Sequence, residues 1–319
     1  MKSGEYTYKK LLPYKEIKMK KRFLISIIAL FVMSALFAET KSEQFWNLWQ
    51  DDKYDEATEF LGKWEKKSKK DPELYVCYFN MYIMQARNEQ MHVESFLPPN
   101  FNGQYMEGKN ENGDKIYIYS VIEYDDDLCA KAFEYIDKGL SYNPKRLDMH
   151  FGKAQLYFML AEYEKQAEVI KHIMELNKKY KDSWLWSNNE TIKSAQVGFA
   201  ASIHEYILKW YNTKNPATYP MMKEISALYV EQYPDDIRAY NDAGIAAMFT
   251  NDLESAKKYF QKGYELDSSD MILLGNLARI CYNLGDTETA YKYYKIMSES
   301  ENPDESEYAK NILKNYFNE

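Results

Sequence analysis

A spacing of 34 residues, kept without a gap, constrains this chain more than any other feature. Counting from Tyr240, small and large residues fall at Ala243, Gly244, Ala247, Ala256, Phe260 and Gly263. Counting from Leu274, the same offsets give Leu277, Ala278, Cys281, Ala290, Tyr294 and Met297, each 34 residues on. Self-similarity at such a period marks stacked supersecondary units. Both copies read as two helices with a turn between them, at 250–254 and 284–288, where Asn, Gly and Asp supply helix stops and N-caps. Glycine inside a helix costs about 1 kcal/mol relative to alanine. Gly244 and Ala243 are therefore expected to let the second helix come close, with Ala256 doing the same from the other side. Phe260 and Tyr294 then fill the remaining space, and close packing offsets the propensity lost at glycine.

These segments resemble the tetratricopeptide repeat family, whose pattern W-x2-L-G-x2-Y…A-x3-F…P has this period. Tyr240 and Leu274 stand for the tryptophan, and Ala247 and Cys281 for the tyrosine. Ser268 and Asn302 stand where proline belongs, with Pro303 one residue late. Upstream copies are looser. Residues 147–177 keep Ala154, Tyr157 and Ala167, and 130–144 read as a second helix carrying Ala132, Ile136, Gly139 and Pro144. Residues 221–234 close a pair whose first helix runs about 190–212, and 54–72 close a pair begun by a short helix with Trp46 and Trp49.

The resemblance implies an all-α fold over 39–319: a right-handed α-solenoid of about six antiparallel helix pairs, clearest at 237–270 and 271–303. An amphipathic helix at 304–319 caps the last repeat. One segment, 93–125, interrupts the second pair. Its Asn112-Gly113 followed by the alternating "KIYIYSV" signals a β-hairpin. Such an insertion is either a lid over solenoid core or a functional element.

The N-terminal region reads differently. Lys20, Lys21 and Arg22 precede an apolar run from Phe23 to Phe37, and Ala38 comes before the polar Glu39. These are the parts of a secretory signal peptide, and the run is short for a membrane span. Residues 1–38 are thus expected to direct export, with cleavage near Ala38 or retention as an anchor. Residues 1–18 either lengthen the basic region or precede a true start at Met19. The 319-residue chain has net charge −8; residues 1–38 hold eight basic and two acidic residues, so the remainder carries −14. Such a body repels phosphate backbones, which argues against a nucleic-acid partner. The expected home is the periplasm or cell envelope, with secretion open. Cys77, Cys129 and Cys281 form no CxxC and read as buried structural thiols.

No catalytic pattern emerges. His92, His150, His172 and His204 are scattered, without metal-ligand spacing, and there is no P-loop, GxGxxG or GxSxG. No cofactor or metal is expected. The acids at 125–127 and 235–236 read as helix caps. The resemblance implies a non-catalytic scaffold whose first helices line a concave surface for a peptide or partner helix. Residues off the packing positions are candidates for that surface. On the first helix of one repeat they are Arg238, Asn241, Ile245, Met248 and Phe249. On that of the next they are Asn276, Arg279, Tyr282 and Asn283. Asparagines there can pair a peptide backbone, and arginines can hold a carboxylate. The family's lysine-rich clamp for a C-terminal carboxylate is not reproduced. Two other readings stay open: a solvated face of a structural spacer, and an exported protein that binds a small ligand or serves a transporter. The latter rests on Phe151, Phe158, Phe249 and Tyr282 lining a groove.

Overall fold

The computed structural model describes residues 39–98, 101, 103–192 and 195–317. The expected signal segment, 1–38, lies outside the described residues. All elements below belong to the unit Lys41–Glu319.

Twelve helices pair in sequence order: α1 (Lys41–Gln50) with α2 (Tyr54–Ser68), α3 (Pro72–Ala86) with α4 (Asp126–Tyr142), and α5 (Leu147–Met159) with α6 (Tyr163–Tyr180). There follow α7 (Ala195–Thr213) with α8 (Tyr219–Gln232), α9 (Ile237–Phe249) with α10 (Leu253–Leu266), and α11 (Met271–Asn283) with α12 (Thr287–Ser298). A last helix, α13 (Pro303–Phe317), packs on α12. The described residues form a helical solenoid of six pairs and a C-terminal helix, with one β insertion. Its buried apolar residues group along the chain, so each pair packs mainly on its neighbours.

The small residues do what their spacing implies. A Cβ on Gly244 would come within 2.6 Å of Cδ1 and Cζ of Phe260, and one on Gly263 within 3.1 Å of the Tyr240 Cβ. Ala243, Ala247, Ala256 and Ala290 are buried beside them. The turn inside each pair also recurs. Asp52, Ala161, Lys214, Asn251 and Gly285 all take positive φ, between 53° and 84°, where a first helix ends. Asn251 and Gly285 are the same position one period apart.

Bonds repeat at that period as well. Asp252 caps α10 through the Ser255 amide and accepts from Lys223 Nζ at 2.8 Å. Asp286 caps α12 through the Thr289 amide and accepts from Lys257 Nζ at 3.1 Å. Asp125 and Asp236, read as caps, do cap α4 and α9. Near the start of three first helices, a side-chain tip reaches back to a carbonyl six residues earlier. Tyr75 donates to Lys69, His150 Nε2 to Pro144 and Tyr240 to Pro234. The three cysteines are free and buried, as their placement implied.

The insertion is larger than its turn signal announced. Helix α3 passes directly into β1 (Arg87–Glu94), ahead of the expected boundary at 93, followed by β2 (Tyr105–Lys109) and β3 (Lys115–Tyr124). The antiparallel order is β1-β3-β2, so the sheet prolongs the α3–α4 hairpin. The expected hairpin is β2–β3, turning through Asn110–Asp114 with Gly113 at φ 85°. A second irregularity joins α6 to α7. Trp184 is fully buried there and donates to Asn177 Oδ1 at 2.8 Å. Beside it Arg146, also fully buried, is held by Glu73 and Asp148, each at 2.7 Å. A buried cation needs such pairing, and here it ties α3 to the start of α5.

Candidate interaction face

Helices α9 and α11 carry all nine candidate residues, and the fold brings four of them, Asn241, Met248, Asn276 and Arg279, into contact. Asn276 Nδ2 donates to Asn241 Oδ1 at 3.0 Å, across the two helices. Arg279 Nη2 donates to Asn276 Oδ1 at 3.1 Å and lies 3.7 Å from Met248 Sδ. The guanidinium is exposed and fixed by two neutral acceptors. Among the described residues it makes no ion pair, so its charge stays available to an incoming group. Ile245 and Met248 are half-buried beside it, packed on the core under α9. Asn283 is exposed at the end of α11.

Arg238 departs from its expected role. Its Nε and Nη2 both bond Asp236, at 2.9 and 2.6 Å. This fork-shaped pair occupies the donors that a partner's carboxylate would need. Burial pushes the Asp236 carboxyl up, but bonds from Arg238 and Tyr229 outweigh it and hold the group below its ordinary value. Arg238 secures the start of α9.

The aromatic candidates fall into separate clusters. Phe249 stacks on Tyr219 with ring centroids 4.5 Å apart and lies 5.7 Å from Tyr211. Tyr282 meets Tyr316 and Phe317 of α13 edge-on. Phe151 and Phe158 pack instead near Tyr206 and Tyr163 around α5. The four rings of the suggested ligand groove therefore do not converge. Phe249 and Tyr282 remain about two-fifths exposed and flank the Asn241–Asn276–Arg279 chain.

The first-helix face holds further residues that the sequence did not single out. His204 on α7 bonds Asp242 on α9, Nδ1 to Oδ2, at 2.8 Å. That hydrogen bond raises the imidazole above its ordinary value against the effect of burial. Burial raises the Asp242 carboxyl, and His204 pulls it back only in part. Lys209 donates to Gln155 at 2.8 Å and lies over the Tyr206 ring; burial lowers its ammonium. Side-chain bonds thus cross three successive seams of the face: α5–α7, α7–α9 and α9–α11. A concavity of about 240 Å³ opens on it beside Phe151, Ser202 and Lys209. A wider cleft of about 760 Å³ lies by Lys178, Lys181, Tyr233 and Asp235, at the far ends of the second helices. No group of three or more His, Cys, Asp or Glu among the described residues could hold a metal ion. No helix among them is long and apolar enough to cross a membrane.

The tetratricopeptide repeat family model matches residues 237–270 and 273–295. These two segments are tetratricopeptide repeats. They coincide with α9–α10 and with most of α11 and of α12, so every candidate residue sits on the first helix of a repeat. No curated protein matches the chain. Solved structures similar to it include the C-terminal part of a TPR repeat-containing protein from Cytophaga hutchinsonii, at 14% identity and TM-score 0.44. That likeness covers 87% of this chain and 88% of that one. PilW, a type IV pilus biogenesis factor, is 13% identical at TM-score 0.38, covering 86% and 96%. MamA from Desulfovibrio magneticus RS-1 is 16% identical at TM-score 0.34, covering 52% and 81%.

Proposed function

We propose that the protein is a non-catalytic interaction scaffold that takes a peptide or helix of a protein partner along the first helices of its tetratricopeptide repeats. The observation that carries this reading is the Asn241–Asn276–Arg279 chain: a guanidinium held by neutral groups, exposed, and flanked by Phe249 and Tyr282. A spacer has no need of a fixed, charge-unpaired guanidinium between exposed rings. Asn276 and Arg279 supply donors for backbone carbonyls or a carboxylate, and the two rings supply apolar anchors. The same reading places the protein outside the cytoplasm, on the strength of the basic and apolar pattern of residues 20–38.

The test is capture of a partner from the cell envelope, followed by affinity measurement with Asn241→Ala/Arg279→Ala. Truncating hot-spot residues costs about 2 kcal/mol or more, roughly thirtyfold in affinity. A folded double variant that binds as tightly as wild type refutes the site.

A further inference from the structure

The β insertion has two faces, and among the described residues Phe101 covers part of one of them. In the register of the sheet, His92, Tyr119 and Tyr105 share a row on one face. Phe101 of the β1–β2 connection lies 4.8 Å from the Tyr119 ring, and Tyr119 is buried. The opposite face carries Met91, Val93, Ile118 and Met106, with Val93, Ile118 and Met106 in one row. Met91 is 75% exposed, Met106 63% and Val93 57%. Its only charges, Arg87 and Glu89, bond one another at the end nearest the helices. The outer edge of β1, by contrast, is guarded by charged and polar residues, as edge strands usually are.

We propose that this face associates with the same face of a second copy of the chain. The pattern is self-complementary. A twofold axis parallel to the strands, between two sheets about 10 Å apart, sets row against row. It places β3 over β3 and β1 over β2, so Ile118 meets Ile118 of the other copy and Val93 meets Met106. Strand β2 is short and reaches only residues 115–119 of β3. No third strand therefore lies opposite Arg87 and Glu89, which stay in water bonded to each other. No charge is buried and no like charges meet.

The size of the face sets the strength. Strands of eight residues run about 26 Å, and three strands span about 10 Å between outer backbones. With side chains the face is roughly 300–400 Å², so the pair buries roughly 600–800 Å², below the about 1,200 Å² of stable interfaces. Association is therefore weak and reversible, in the range of about 10 µM to 1 mM. Two bodies of net charge −14 also repel. Salt screens that repulsion, so the dimer strengthens as ionic strength rises.

Sedimentation velocity of the purified protein from about 5 to 500 µM, in about 0.1 and 1 M NaCl, tests this. The expected result is a concentration-dependent monomer–dimer exchange, tighter in high salt and weakened at least about tenfold by Met106→Glu and by Val93→Lys. Both side chains are mostly in water, so the variants keep the fold, checked by circular dichroism. A monomer throughout the range in high salt overturns the proposal, leaving the face to another occupant. So does an association that both variants leave unchanged.

Discussion

The ring of Phe260 fills the space that a side chain on Gly244 would need. This one relationship explains why helix α9 accepts a residue that weakens it, and it sets a test of sign. Gly244→Ala gains about 1 kcal/mol of helix propensity but forces the aromatic ring aside, at about 1–3 kcal/mol. We expect net destabilisation. Gly62 lies inside α2 with nothing within 4 Å of its absent Cβ. Gly62→Ala should therefore stabilise by about 0.5–1 kcal/mol. Urea denaturation of the two variants should give shifts of opposite sign; equal signs would refute the packing account.

The repeated cap and ion pair separate two contributions. Asp252→Ala and Asp286→Ala should each cost about 1 kcal/mol, since each removes an N-cap. Their cations are partly exposed, so Lys223→Met and Lys257→Met should each stay within about 0.5 kcal/mol. Thermal or denaturant unfolding of the four variants decides it. Comparable losses in all four would mean that the ion pairs, not the caps, hold these turns.

Much of this architecture was legible because it repeats. The 34-residue offset placed Ala243, Gly244, Phe260 and their successors at packing positions, and the acidic clusters placed Asp125 and Asp236 at helix starts. Strand β1 was not legible. Its sequence, RNEQMHVE, is polar, poor in strand formers, and follows α3 without a glycine or proline. It becomes a strand because β3 offers it a full antiparallel partner, a tertiary cause that local propensity does not record. Within the site, sequence placed Asn241, Asn276 and Arg279 on one face but could not see that they bond one another. Arg238 looked free for want of its fork to Asp236, two residues away. The His204–Asp242 pair joins α7 to α9 across a separation of 38 residues, a pairing that the 34-residue pattern does not record.

That pair gives a pH dependence. The bond to Asp242 holds His204 above its ordinary value of 6.5 in the folded protein. Its stabilisation is therefore complete below about pH 6.5 and fades as pH rises through the folded value. Asp242 acts in the same sense at lower pH. Its raised carboxyl lets the folded state take the proton first, so this group favours folding as pH falls. Unfolding free energy measured from about pH 5.5 to 8.5 should decline across the His204 titration, and His204→Gln should flatten that part of the curve. An unchanged slope in the variant would exclude His204 as its source.

Export is checked by intact mass. Protein isolated from its producing cell should begin at or near Glu39, as removal of the segment ending at Ala38 requires. A polypeptide that begins at Met1 or Met19 and remains in the cytoplasm would contradict the assignment.

The face itself can be tested without knowing the partner in advance. A photo-crosslinking amino acid is placed at Tyr282, which is exposed beside Arg279 on the first-helix face, and in a separate variant at Lys258, exposed on α10. After irradiation of producing cells, the account predicts a discrete adduct with another protein from position 282 and none from position 258. The adduct should disappear when Asn241→Ala/Arg279→Ala is added. Adducts from position 258 with none from 282 would contradict the account and move the binding surface off the first helices.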